Sequence, residues 1–246
     1  MGITEAFPSM DSTPQRRWFQ FSLKSLWVLI TVLCGVLGAC WHFVIAPAER
    51  QRGAAQMVAS LGGQIYRGSP YEDFWIVDQL RKVLPRDYID TAGGISLDNS
   101  PADDQDIARL RGLNQLSTVY LRGTRLTNAS APLLRSLREL VILDLSGTQF
   151  TDAGFVELCE LPKLASLFLD DSEVSDAGLS HLPDQSQLQN LSLRNTPVTD
   201  AGLVQLSRLP HLKSLDITGT QVTRAGVVRF QVALPDCLVV GTPRAR

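Results

Sequence analysis

Residues 140–163 read LVILDLSGTQFTDAGFVELCELPK, and these 24 residues carry two hydrophobic periods in succession. Leu140, Leu143 and Leu145 form L-x-x-L-x-L, an alternation that gives a short strand one buried face. Phe155, Leu158 and Leu161 then recur every third residue, a spacing that lines one face of a helix. Thr151 stands just before that helix, where a hydroxyl caps free backbone N–H groups. Asp152 follows in its first turn, favourable to the helix dipole. A strand that turns into a helix within 24 residues is one supersecondary unit.

The unit recurs without a break in register. Copies begin at Ala92, Leu116, Leu140, Leu164, Leu188 and Leu212, each 24 residues after the last, with a partial seventh from Asp236. Three residues into each copy stand Ile95, Val119, Leu143, Leu167, Leu191 and Leu215; five residues in stand Leu97, Leu121, Leu145, Leu169, Leu193 and Ile217. Eight residues in, every copy has a hydroxyl: Ser100, Thr124, Thr148, Ser172, Thr196 and Thr220. Ser175, Thr199 and Thr223 repeat the cap, Asp176 and Asp200 repeat the acid, and Gly154, Gly178, Gly202 and Gly226 let the helices approach their neighbours. One such turn buries a single apolar stripe, less than ordering its chain requires, so the copies must stack to fold.

The sequence resembles the leucine-rich-repeat family in its T-D-A-G-L form, carried by Thr151–Phe155, Ser175–Leu179 and Thr199–Leu203. The resemblance covers residues 92–241, about 60% of the chain. It implies an α/β fold: a right-handed solenoid with a parallel β-sheet on the concave face and helices on the convex one. It also implies binding rather than catalysis. Some positions depart from the family pattern. Ala92 and Asp104–Asp106 make the first copy degenerate, and Gln185 and Arg224 replace expected core or cap residues. Ser or Thr takes the place of the usual Asn or Cys eight residues in, where it is expected to bond the backbone of the neighbouring turn.

Alternate strand residues point away from the core, so residues two, four and six positions into each copy form the concave face. Parallel strands lie about 4.8 Å apart, which makes that face roughly 24–29 Å long. Tyr120, Ile142 and Phe168 fall on three consecutive strands as a small apolar patch. Arg122 and Arg194 flank it, with Asp144 and Asp170 between. Exposed aromatics with arginine nearby are common anchors of protein interfaces. These seven residues are the candidate protein-binding site.

Upstream of the repeats, residues 1–24 form a polar tail, expected to be disordered and cytoplasmic, and residues 25–48 a transmembrane signal anchor. Leu26–Ala46 is 21 residues without a charge, roughly 30 Å as a helix and so the thickness of a bilayer core. Trp18, Phe19 and Phe21 at one end and Trp41 and Phe43 at the other suit the two interfaces. Arg16, Arg17 and Lys24 precede the run against Arg50 and Arg52 after it, a bias that keeps the amino end inside and places the repeats outside the cytoplasm. A second reading is export with cleavage near Ala48, because Ala46-Pro47-Ala48 has the small-x-small form of a cleavage site and Arg16-Arg17 partly resembles a twin-arginine signal. Gly35 and Ala39 make a small-xxx-small pair that allows a weak homodimer. The membrane segment followed by repeats looks like bacterial membrane-anchored leucine-rich-repeat proteins. Residues 49–91 are a linker and amino-terminal cap, with helices expected near 48–61 and 72–84 and a short strand at Gln64–Tyr66. Residues 92–246 are the repeat domain.

The rest of the composition narrows the function. Twenty-three basic against 25 acidic residues give a net charge of −2, which does not favour nucleic acid. Four cysteines in 246 residues make no disulfide scaffold, and Cys159 and Cys237 are expected to be separate core fillers. Three histidines with no local nucleophile motif, and no glycine-rich phosphate loop, H-E-x-x-H or C-x-x-C, argue against an enzyme and call for no cofactor or metal. Asp98, Asp103, Asp104 and Asp106 lack the spacing of a calcium loop and suit capping or a solvated face. The sequence therefore points to a membrane-anchored protein-binding module. A structural spacer of the cell envelope is the alternative, and a cytosolic adaptor of the ligase-receptor type a more distant one.

Overall fold

The computed structural model describes residues 46–68, 91–183 and 186–244. The span from Leu26, the Gly35–Ala39 pair, the tail before them and the helix expected at 72–84 lie outside the described residues, as does Gln185. Among the described residues no helix is long and apolar enough to cross a membrane.

The chain enters through helix α1 (Ala46–Ser60), which buries Ala54, Met57 and Val58 and ends at Gly62, whose φ is +75°. Strand β1 (Gln64–Gly68) follows and pairs antiparallel with β2 (Thr91–Ser96), with an irregularity between Tyr66 and Arg67. From β2 onward every pairing is parallel and each strand is one coil further along: β3 (Thr118–Tyr120), β4 (Ile142–Asp144), β5 (Ser166–Phe168), β6 (Asn190–Ser192), β7 (Ser214–Asp216) and β8 (Leu238–Val240). The result is an eight-stranded sheet in sequence order. Between strands lie short helices: α2 (Asp104–Ala108), a 3-10 turn (Asn128–Ser130) running into α3 (Ala131–Ser136), α4 (Asp152–Leu158), α5 (Asp176–Leu179), α6 (Asp200–Leu206) and α7 (Arg224–Ala233). The pairing register is 24 residues throughout the parallel strands, as Leu143 opposite Leu167 and Leu167 opposite Leu191 show.

The core is a set of columns running the length of the stack. Leu116, Leu140 and Leu188, then Val119, Leu143 and Leu191, then Leu121, Leu145 and Leu193 are all buried. A further column, ten residues into each copy, holds Ala102, Leu126, Phe150, Val174, Val198 and Val222, each fully buried. The period-two reading stops short of it because it lies past the strand, in the turn toward the helix. Full burial of such a side chain contributes about 1.5–3 kcal/mol, and the stacking of coil on coil is what achieves it.

Main-chain bonds cross between coils at several levels. Arg125 donates its N–H to the Ala102 carbonyl, Gln149 to Leu126, Glu173 to Phe150 and Gln221 to Val198. Seven residues into every copy the backbone is left-handed, at Asn99, Gly123, Gly147, Asp171, Asn195 and Gly219, with φ between +55° and +76°. Only glycine, asparagine and aspartate occupy that position, the residues that tolerate it best. The turn aims the N–H at the next coil: Gly147 donates to the Asp170 carbonyl at 2.7 Å and Asp171 to that of Arg194 at 2.7 Å.

Two expectations about the turn side chains change. The hydroxyls eight residues in bond their own coil and not the neighbouring one: Thr124 donates to the Leu121 carbonyl at 2.6 Å, Thr148 to Leu145, Ser172 to Leu169, Thr196 to Leu193 and Thr220 to Ile217. A hydroxyl three residues beyond a carbonyl in a tight turn reaches it directly, and burial leaves it no water to bond instead. The acid of the T-D-A-G segment has a larger role than opposing the helix dipole. The Asp152 carboxylate accepts from both the N–H and the hydroxyl of Ser175, at 2.7 and 2.6 Å, in the next coil. Asp104 does the same for Thr127, Asp176 for Thr199 and Asp200 for Thr223. Asn128 takes the same place below Thr151, accepting its N–H and donating to its hydroxyl. Thr151 accordingly makes no side-chain cap bond, whereas Ser175, Thr199 and Thr223 each accept one from their own helix. The first copy is regular at the positions where its sequence looked irregular: Asp103 caps α2 and Asp104 provides the first of these cross-coil contacts.

Candidate binding face

Pairing in 24-residue register aligns equivalent residues of successive strands in rows across the sheet. One row runs Ser96, Tyr120, Asp144, Phe168, Ser192, Asp216, Val240. The row above it runs Gly94, Thr118, Ile142, Ser166, Asn190, Ser214, Leu238. In every strand from β3 to β5 and in β7 the central residue is buried and its two neighbours are half-buried, which fixes the outer face as the concave one. The structure thus brings Tyr120, Ile142, Asp144 and Phe168 together on adjacent strands. Arg122 and Arg194 are exposed beside them.

Asp170 is placed differently. Its side chain is buried, and Oδ1 accepts from the Ser192 hydroxyl and from the Arg194 N–H. It therefore braces β6 against β5 and offers little to a partner. Asp98 has a similar role near the amino-terminal end of the sheet, accepting the Arg122 N–H at 2.9 Å. Asp216 accepts from the N–H and hydroxyl of Thr218. Asp144 accepts the Ser146 N–H at 2.8 Å, and burial, only partly offset by the bonds from Ser146, pushes its carboxyl above the ordinary aspartate value. Nearby Asp98 adds to the rise and Arg122 opposes it.

Three apolar residues of this face escape the sequence reading. Leu238 and Val240 extend the two rows onto β8 and are exposed, and Tyr66 on β1 pairs with Gly94 and stands half exposed. The signal for Leu238 and Val240 was available: they lie two and four residues into the partial copy that begins at Asp236. Tyr66 carried no such signal, because β1 lies outside the repeat and runs the opposite way. On the convex side Val156, Val204 and Val228 are also exposed at equivalent positions of α4, α6 and α7, but Ser180 interrupts the line at α5.

Two asparagines are engaged within the fold: the Asn128 amide donates to Thr151 and the Asn190 amide to Ser166. The four amino-terminal aspartates are likewise engaged, Asp103 and Asp106 in the α2 capping box, Asp104 with Thr127 and Asp98 with Arg122. Cys159 and Cys237 are free thiols. Burial pushes the Cys159 thiol up to about 12 and raises that of Cys237 as well.

A family model described as Leucine Rich repeat matches residues 136–159 and 208–230. No curated protein matches the chain. Among solved structures, an internalin (inlF) from Listeria monocytogenes is similar at 17% identity and a TM-score of 0.47, over 70% of this chain and 57% of its own. An internalin C2 (inlC2) from the same organism is similar at 20% identity and a TM-score of 0.46, over 69% of this chain and 84% of its own. The chain thus spans little more than half the length of the first of these. The two stretches matched by the leucine-rich-repeat model lie in the same 24-residue register as the strand pairing of the remaining coils.

Proposed function

We propose that this protein is a membrane-anchored recognition module that binds another protein on its concave sheet and performs no chemistry. Leucine-rich-repeat domains bind proteins in general. The observation that carries the reading is the cluster of Tyr120, Ile142 and Phe168 on three neighbouring strands of one face. A rigid aromatic patch rimmed by Arg122 and Arg194 has the composition of an interface centre and its polar border. Cross-coil bonds hold the face, so binding orders little of the chain and loses correspondingly little affinity to entropy.

Crosslinked capture with the full chain tests this, comparing wild type with the Tyr120→Ser, Phe168→Ser double variant. The module reading expects one species captured by wild type and lost in the variant, with thermal unfolding unchanged. Equal capture by both moves the site off the concave face.

The same proposal places the repeats outside the cytoplasm, with Leu26–Ala46 as the anchor. The support is the length and uncharged character of that run, together with the Arg16, Arg17 and Lys24 bias. A reporter fused after Arg246 that works only in the cytoplasm would overturn the display. Release of the repeats into the soluble exported fraction would replace anchoring with cleavage near Ala48.

A further inference from the structure

We propose that Asp144, between Tyr120 and Phe168, seats a cationic side chain of the protein partner, a lysine or an arginine. The inference rests on the concave-face reading and gives that face a chemistry. In-register pairing of β3, β4 and β5 sets Asp144 in the row between the two aromatic residues, with about 4.8 Å from strand to strand. The negative faces of aromatic rings attract cations, and the attraction grows where water is thinned out. Burial already raises the Asp144 carboxyl, which shows how far its surroundings hold back water. Among the described residues no Lys, Arg or His lies within ion-pair distance of it. The pull of Arg122 on this half-buried carboxylate is smaller than the push of nearby Asp98, so an incoming cation still meets a net negative site.

The other concave carboxylates lack some of this setting. Asp170 is buried and taken up by Ser192 and Arg194. Asp98 stands two residues beyond the row that holds Tyr120 and Phe168, and its Oδ1 accepts the Arg122 N–H. Asp216 lies in the same row as Asp144, but its neighbours there are Ser192 and Val240, with no ring on either side. Ile142 stands two residues before Asp144 on the same face, where it can cover the methylene stem that lysine and arginine lay along apolar surface. Arg122 lies two residues past Tyr120, the partner of Asp144 on β3, and repels an added cation, so its charge sets a limit on affinity and its removal relieves that limit.

The test uses the full chain in nonionic detergent and three short peptides, acetyl-Leu-Arg-Leu-amide, acetyl-Leu-Lys-Leu-amide and the neutral acetyl-Leu-citrulline-Leu-amide. Binding is followed by backbone-amide NMR shifts at millimolar peptide. The proposal expects the amides of Tyr120, Asp144 and Phe168 to move with the charged peptides, which bind at least about fivefold more tightly than the neutral one. Asp144→Asn removes that preference, Asp216→Asn keeps it, and Arg122→Ala strengthens it. Equal binding of charged and neutral peptides, a preference that survives Asp144→Asn, or no shift at these amides each overturns the cation seat. The concave face itself is judged separately: partner capture that needs Tyr120 and Phe168 but ignores Asp144→Asn keeps the face and discards the seat.

Discussion

The Asp152 carboxylate occupies the space that a β-carbon on Gly178 would fill: such a carbon would stand 2.4 Å from Oδ1 and 3.3 Å from the Asp152 Cα. The same relation joins Asp176 to Gly202 and Asp200 to Gly226. In each case the acid reaches up to the Ser or Thr of the next coil, and the glycine of that coil keeps the passage open. Threonine, aspartate and glycine in T-D-A-G therefore belong to a shared contact between coils, the acid from one coil and the hydroxyl and glycine from the next.

That contact makes Gly178→Ala destabilising even though alanine favours a helix by about 1 kcal/mol over glycine. Crowding against a bonded carboxylate is expected to reverse the gain and leave a net loss of about 1–3 kcal/mol in chemical denaturation. Combining it with Asp152→Ala should cost less than the two single changes added together, since the second removes what the first collides with. Strict additivity would show that the two residues do not share the contact.

At the left-handed turns the backbone, and not space, sets the rule. A β-carbon on Gly147 would approach nothing closer than 3.6 Å, yet its φ is +65°. Gly147→Val should lower stability by about 1–2 kcal/mol, while Gly147→Asn should stay near wild type, because asparagine already holds this place at Asn99 and Asn195. Equal losses in the two variants would point to crowding instead.

Most of the architecture was legible from Leu140, Leu143 and Leu145, because a period of two followed by one near 3.6 leaves few ways to bury both halves. The concave rows followed from the same alternation, which is why Tyr120, Ile142, Asp144 and Phe168 meet as expected. The cross-coil partners were not legible. Asp152 and Ser175 are 23 residues apart, and a helix-dipole reading satisfied the aspartate locally without looking to the next copy. Asp170 was placed on the open face by the same alternation, but the bonds it takes from Ser192 and Arg194 draw it into the sheet. The left-handed turns had a signal that went unread, the exclusive use of Gly, Asn and Asp seven residues into each copy.

Asp144 predicts a pH dependence of defined sign. Its folded carboxyl titrates above the unfolded value of 3.8, so the fold favours the protonated form and loses stability as pH rises through that window. Asp144→Asn, which retains an acceptor for the Ser146 N–H, should raise the melting temperature at pH 7. The difference from wild type should shrink as pH falls through the folded value. A constant difference across pH would remove ionisation as its cause.

The thiols of Cys159 and Cys237 should react slowly while the protein is folded. With Cys159 raised to about 12, its thiolate population at pH 8 is negligible, and burial raises Cys237 in the same direction. Both should label with iodoacetamide at the rate of free cysteine once the chain is unfolded in guanidinium. Rapid labelling of either in the native protein would contradict its buried setting.

Strand β1, the one antiparallel member of the sheet, makes the two ends of the array unlike each other. Every link from β3 to β7 joins a residue to its equivalent 24 positions later, so a whole unit can be duplicated or deleted within that stretch with every link restored. The antiparallel β1–β2 pairing allows no such edit, because its register answers to no period. The protein is in this sense an adjustable ruler with a fixed zero: its sheet changes length in whole steps of one strand spacing while the approach from α1 stays the same.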